Sequence, residues 1–205
     1  MKKVLPLLAL VLCATAAHAQ SAATPARFEV MAGANFATLS ESEGADMRTG
    51  LVAGIGMIKP ISAGWAFQPE LTYSMKGAKT SESGVTGTVK LSYLEVPLLL
   101  RYEVEGGEVR PFFHAGPALA LKLSCDVEAS SGSATASESC SDAGADAKSF
   151  DIGLMFGGGL AFKQMNHTFS VGVRYNLGLV DIADNSTSKN RVLSVVGTFE
   201  WPWGK

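Results

Sequence analysis

Charged residues are scarce in this chain, and neither sign predominates. They make up 18% of the 205 residues, below the roughly 25% that is usual in soluble domains. The 17 Lys and Arg residues do not outnumber the 19 Asp and Glu residues, so there is no basic excess to bind a nucleic-acid backbone. Hydrophobic residues make up 47%, which excludes a disordered polar tail. The composition predicts a folded chain with no nucleic-acid partner.

Cysteine is also rare. Of the three cysteines, Cys13 lies in the N-terminal apolar run, and Cys125 and Cys140 flank a stretch rich in Ser, Ala and Gly. Two thiols that bracket a polar segment of an exported chain predict a disulfide. A metal site is not expected there, because the segment offers carboxylates but no histidine. No motif for a cofactor is present either.

Long apolar runs are missing except at the N-terminus, where residues 4–15 follow two lysines. The small residues of the 17–19 segment then suit a cleavage site before Gln20. The run is shorter than the roughly 20 residues that a membrane-spanning helix needs. We therefore predict a signal peptide over residues 1–19 and a single mature domain over residues 20–205.

Helical periodicity is absent from the mature chain, and alternation takes its place. Between 168 and 180, Phe169, Val171 and Val173 fall on one face, whereas Arg174 and Asn176 fall on the other. A period of two held over twelve residues is typical of a β-strand. Similar alternation, strong or weak, occurs at 27–38, 47–58, 65–76, 91–102, 109–123, 150–163 and 190–201. These patterns predict eight strands.

The connections between these strands alternate in length. Those at 60–64, 104–108 and 164–167 are short, and those at 39–46, 77–89, 124–148 and 181–189 are long and polar. Short turns at one end and long loops at the other are typical of outer-membrane barrels. The prediction is an all-β fold, an eight-stranded antiparallel up-and-down transmembrane β-barrel with short periplasmic turns and long extracellular loops. Loop 124–148, the largest, is the expected contact site for a protein partner.

Aromatic residues gather near the predicted periplasmic end, on the apolar face of the strands. Such a belt fits the interface between lipid and water, and it makes outer-membrane lipid an expected partner. Its predicted members are Phe28, Trp65, Phe67, Tyr102, Phe113, Phe162, Phe169 and Trp201.

Two segments resemble the PorT-like "porin family" of outer-membrane β-barrels. They are residues 92–102, which read SYLEVPLLLRY, and residues 110–119, which read RPFFHAGPAL. The resemblance implies an eight-stranded barrel in the outer membrane of Gram-negative bacteria, but it implies little about activity. It also implies recognition by the barrel-assembly machinery. Phe199 and Trp201 fit the usual assembly signal, whereas residues 202–205 follow where many barrels end on an aromatic residue.

Charged side chains recur on the opposite, inward face of the strands. The lumen candidates are Glu70, Glu95, Arg101, His114, Asp151 and Arg174. An eight-stranded barrel is just filled by its side chains, and buried charges must be paired. Since the third and seventh strands face each other across such a barrel, we expect Glu70 to meet Arg174. A lumen plugged by ion pairs is predicted, with a narrow ion path as the alternative.

Motifs for catalysis are mostly absent, so no enzymatic activity is expected. His114 is predicted to point inward, with Glu70 or Glu95 as a possible partner, and no motif places a serine beside it. Three functions remain open. The first is a structural or plugged outer-membrane barrel whose loops contact partners. The second is a soluble secreted barrel that binds an apolar ligand, and the third is an outer-membrane enzyme that modifies lipid.

Overall fold

The computed structural model describes residues 25–40, 45–144, 147–183 and 187–203. The predicted signal peptide lies outside these residues. No helix long and apolar enough to cross a membrane occurs in the part of the chain that is described. The strands are β1 (Arg27–Leu39), β2 (Ala45–Ser62), β3 (Trp65–Glu82), β4 (Val85–Glu103), β5 (Val109–Ser131), β6 (Ala134–Ser139), β7 (Phe150–Gln164), β8 (His167–Gly178) and β9 (Asn190–Pro202).

Eight of these strands form a closed ring. Each pairs antiparallel with its neighbours in chain order, and β9 pairs with β1 to complete the circle. The short strand β6 stands outside the ring, and among the described residues it pairs with β5 alone. The predicted eight-stranded barrel is confirmed, and β6 is an addition that the sequence did not predict. Closure satisfies the backbone groups of the ring strands without water, which is what a bilayer demands.

The apolar face of the barrel wall points outward. Phe169, Val171 and Val173 are 48–49% exposed, whereas Arg174 and Asn176 are 5% exposed. A soluble protein would bury the first set and expose the second. The outer surface therefore suits a lipid environment, and the polar residues fill the lumen.

The wall of the barrel is uneven in height. Strands β1, β8 and β9 have 12 or 13 residues, whereas β2 and β3 have 18, β4 has 19 and β5 has 23. The connections at 77–89 and 124–148 were expected as long loops, and this was wrong. The first is a two-residue turn at Ser83 and Gly84, and β5 runs on to Ser131 and folds back into β6. Beyond the membrane neither face of a strand has to be apolar, so the alternating pattern fades while the pairing continues.

Two connections at the extracellular end of the barrel are joined to each other. The amide of Lys148 donates a hydrogen bond to the carbonyl of Ile182 at 2.7 Å, which joins the connections before β7 and before β9. Ala147 packs on the buried cluster that contains Leu91 and Tyr93. The connection before β7 is therefore held both by the connection before β9 and by buried side chains of β4.

Candidate functional site: the filled lumen and the raised sheet

The middle of the lumen is crossed by an ion pair between opposite walls. Arg174 on β8 reaches Glu70 on β3 with two parallel contacts, Nη1 to Oε2 at 2.6 Å and Nη2 to Oε1 at 3.0 Å. Gln68 donates to Glu70 at 2.7 Å and to Glu29 at 3.0 Å. Paired contacts of this kind fix both orientation and distance. The structure therefore brings Glu70 and Arg174 together and adds two further polar residues to them.

A second layer of charge lies nearer the extracellular end. The Nζ of Lys76 lies 2.7 Å from Oε1 of Glu95 and 3.7 Å from Oδ2 of Asp151. Asn190 donates to Asp151 at 2.8 Å, and Asn176 donates to Glu95 at 3.2 Å. Glu95 and Asp151, both predicted to lie in the lumen, thus each have a cationic neighbour and an amide donor.

A third layer closes the periplasmic end. Glu103 contacts Arg27, Arg101 and Arg110 at 2.9, 3.1 and 3.3 Å. Glu200 contacts Arg27 at 3.1 Å and Arg101 at 3.5 Å. Three guanidinium groups therefore share two carboxylates, which holds the ends of β1, β4, β5 and β9 together. Arg101 lies in the lumen as expected, and its partners come from this layer.

His114 lies in the lumen but does not contact the carboxylates that the sequence suggested. Its side chain is buried, and neither ring nitrogen has a hydrogen-bond partner. The imidazole instead lies beside Phe112, with ring centroids 5.7 Å apart, and against Gly157. A Cβ at Gly157 would lie 2.9 Å from its Nε2. The expected pairing with Glu70 or Glu95 was wrong, because both carboxylates are held by the cations and amides around them.

Little space remains between these layers. A cavity of about 10 Å³ lies between the middle and upper layers, next to Asn35, Arg174 and Ser194. That volume corresponds to about one water molecule. The lumen at this height is therefore packed with side chains.

Above the barrel the upper parts of β3, β4 and β5 continue and pair in order up to β6, and we call this extension the raised sheet and define it as residues 77–90 and 126–139. At its other edge, residues 45–47 of β2 pair with residues 78–80 of β3. Its lowest row pairs Gly77 with Lys90, Lys90 with Asp126 and Asp126 with Ser139. On its outward face, apolar residues give way to polar ones, and Lys90 forms an ion pair with Glu128 at 2.6 Å. The change in side-chain chemistry marks where the wall leaves the apolar part of the membrane.

A disulfide fixes the base of the raised sheet. Cys125 on β5 is bonded to Cys140, which follows β6 directly, with their Cα atoms 5.3 Å apart. The amide of Cys140 also donates to the carbonyl of Cys125 at 2.9 Å. The pair predicted from the sequence therefore joins the β5–β6 hairpin at its open end. Among the described residues, no group of three or more His, Cys, Asp or Glu side chains is placed to hold a metal ion.

The predicted aromatic belt lies on the outward face of the wall. Six of its members are exposed, and Phe28 and Trp201 are half-buried against each other with ring centroids 6.0 Å apart. Trp65 lies 4.9 Å from Tyr102 between ring centroids. The exposed members are Trp65, Phe67, Tyr102, Phe113, Phe162 and Phe169.

Several lumen residues were not singled out from the sequence. Gln68 and Asn190 are uncharged amides, and only charged residues were predicted to fill the lumen. Glu200 and Arg27 lie near the ends of weakly alternating strands. The inward position of these four residues in the alternation, considered for every polar residue type, would have identified them.

The match to a known family covers most of the chain. Residues 18–184 match the family described as "Outer membrane protein beta-barrel domain". The chain belongs to this family. Membership implies the outer membrane of Gram-negative bacteria as its location. The match does not reach the narrower PorT-like name.

The chain is similar to solved structures of other outer-membrane proteins. Neisserial surface protein A (NspA) is 20% identical, with a TM-score of 0.51 over 86% of this chain and 97% of that one. Ail of Yersinia pestis is 13% identical, with a TM-score of 0.45 over 87% and 100%. The outer membrane enzyme PagL is 13% identical, with a TM-score of 0.43 over 84% and 99%. No curated protein sequence matches the chain. The likeness to NspA supports the fold alone.

Proposed function

We propose that this protein is a closed outer-membrane barrel that conducts no ions and holds the raised sheet at the cell surface for contact with a partner. The observation that carries the proposal is the ion pair between Glu70 and Arg174, which joins opposite walls at 2.6 and 3.0 Å. The layers above and below it use further charges in the same way.

Energetics favour a lumen that stays closed. Separating a buried pair leaves an unpaired charge, which typically costs about 3–5 kcal/mol. A hydrated ion would have to separate the pairs of all three layers, in a lumen where the cavity near Arg174 holds about one water molecule. A narrow ion path along these charges is therefore the less favoured proposal.

The raised sheet is the part of the molecule best suited to recognition. It projects beyond the apolar wall, and the disulfide between Cys125 and Cys140 constrains it. A rigid surface loses little conformational entropy on binding. Outer-membrane lipid surrounds the wall in this proposal, and the barrel-assembly machinery inserts it. The PorT-like name remains a prediction from residues 92–102 and 110–119.

The two alternative functions fit the geometry less well. A carrier of apolar ligands needs an apolar interior, but the interior here holds charged layers. For an enzyme of the acyl-transfer type, His114 would need a neighbouring nucleophile or carboxylate, and its ring nitrogens have no hydrogen-bond partner. We therefore propose that the barrel catalyses no reaction. Mass spectrometry of outer-membrane lipids with and without the protein tests this proposal, and a modified lipid that depends on His114 would contradict it.

Recording in planar lipid bilayers tests the closed barrel. The purified wild-type protein is expected to add no unitary conductance steps to the background. Arg174→Met removes one partner of the central pair, and Val173→Leu changes only the lipid face of the same strand as a matched control. Steps in the wild-type protein that Arg174→Met alters and Val173→Leu does not would overturn the closed lumen.

A further inference from the structure

We propose that the free edge of β6 is a docking site where an extended, basic segment of a partner protein adds to the raised sheet as a new strand beside β6. This inference rests on the proposed function of the raised sheet as a contact surface. It adds the mode of binding and the chemistry of the partner.

The register of the β5–β6 hairpin shows which backbone groups face the free edge. Ser131 pairs with Ala134 across a two-residue turn, and the amide of Cys140 donates to Cys125. Residues of an antiparallel pair alternate between positions that bond to the partner strand and positions that do not. Even-numbered residues of β6 therefore bond to β5. The amide and carbonyl groups of Thr135, Ser137 and Ser139 point away from it.

Most of these groups are available for a new strand. The carbonyl of Ser139 already accepts a hydrogen bond from Ala143 at 3.0 Å. In the described part of the chain, β6 pairs with no strand other than β5. Three amide donors and the carbonyls of Thr135 and Ser137 thus remain along the edge. Such a row is the template that strand addition uses.

The edge of β6 also lacks the features that usually protect an edge strand from pairing with another chain. Natural edge strands are blunted by lysine, proline, bulges or a covering segment. Residues 134–139 contain neither lysine nor proline, their pairing to β5 is regular, and all but Ser139 are exposed. The disulfide at Cys140 holds the strand extended before any partner arrives. An edge fixed in this way is preorganised for pairing.

Charge near the edge selects the partner. The carboxylates of Asp126, Glu138 and Asp142 lie on β6 or directly beside it. The nearby cation Lys90 is paired with Glu128 at 2.6 Å, so it does not neutralise these three carboxylates. A basic segment complements this field, whereas a second copy of the same edge would bring like charges together. The occupant we assign is therefore a lysine- or arginine-bearing extended segment of another protein.

Titration of a defined peptide tests the site directly. The probe is an eight-residue peptide of alternating Lys, Thr and Val, added to the isotope-labelled protein in nanodiscs and followed by amide NMR shifts. The largest shifts are expected at Thr135, Ser137 and Ser139. Ser137→Pro removes one edge amide without touching a bond to β5, and it should weaken binding at least tenfold. Ser137→Thr keeps the amide and should bind as the wild type does.

Two altered probes separate backbone pairing from charge. The same peptide N-methylated at alternate residues cannot pair and should not bind, and an acidic version should bind at least tenfold more weakly. Equal binding to Ser137→Pro and wild type, no binding of the basic peptide, or shifts confined to other residues would overturn the site. Self-association of the protein through β6, seen by ultracentrifugation, would overturn the choice of partner. These outcomes are independent of the bilayer recordings, so failure of this site is distinguishable from failure of the closed barrel.

Discussion

At the scale of single residues, the lumen is determined by which side chains point inward and how closely the wall lets them pack. Glu70 and Arg174 could be paired from the sequence because both stand at inward positions of facing strands. The solitary position of His114 could not, because it depends on distances across the lumen and on competitors for each carboxylate. Glycine on the adjacent strand supplies the remaining space, because Gly157 of β7 is the cross-strand partner of His114. At Gly157 a Cβ would lie 2.3 Å from the carbonyl oxygen of Val173.

Replacing Arg174 by Leu should destabilise the barrel. The change leaves Glu70 buried without its cation, which typically costs about 3–5 kcal/mol. Urea unfolding in lipid vesicles, followed by tryptophan fluorescence, measures this loss. The double variant with Glu70→Leu removes both charges and should recover most of the stability. An unchanged free energy of unfolding in the single variant would contradict the central role of the pair.

Replacing Gly157 by Ala should also destabilise the barrel, through crowding. The added methyl group would lie 2.9 Å from Nε2 of His114 as well as against the backbone of β8. Overpacking of this kind costs about 1–3 kcal/mol. Gly197→Ala is the matched control, because the nearest atom to its Cβ is the carbonyl oxygen of Ala32 at 3.9 Å. The same unfolding measurement should show a loss for the first variant only.

At the scale of elements, the alternation of apolar and polar residues predicted the strands only as far as the membrane extends. β8 was evident because lipid demands an apolar residue at every second position, as at Phe169 and Val171. The upper part of β5 was hidden because Asp126, Glu128 and Ser130 need no such pattern above the lipid. The pairing of β5 with β6 depends on a turn and a disulfide. Of these two features, the sequence analysis predicted the disulfide.

Removing the disulfide should loosen the hairpin and spare the ring. In the chain-entropy model a link across 15 residues is worth about 3 kcal/mol. With Cys125→Ser and Cys140→Ser, the amides of residues 134–139 should exchange hydrogen faster by at least tenfold. Amides of β8, which lies in the ring, serve as the internal control and should keep their rates. Unchanged exchange in β6 would show that its pairing to β5 needs no covalent support.

At the scale of the whole molecule, the barrel and the raised sheet are built on different principles. The ring holds itself closed through β9 and β1, and charge fills its centre. The raised sheet continues strands β3, β4 and β5 of the ring, so its pairing starts from theirs. The ring closes through β1 and β9, and we expect it to form without the raised sheet.

Shortening the protein should therefore leave a folded barrel. A variant in which residues 128–137 are replaced by a two-residue Asn-Gly turn, so that the paired residues Val127 and Glu138 flank the turn, keeps every strand of the ring. It should migrate faster in SDS gels before heating than after, as the intact barrel is expected to do. Loss of this difference in the shortened variant alone would show that the sheet is needed for closure.

Because the strands differ in length, the barrel wall rises higher above the membrane on one side than on the other. The taller side of the wall, formed by β2 to β5, faces a single direction in the membrane plane. A molecule that approaches along the membrane plane meets either this side or the low rim of β1, β8 and β9. Binding of such a molecule to the tall side would then depend on how the barrel is rotated about the membrane normal. Crowding by neighbouring barrels would change how often the tall side is accessible.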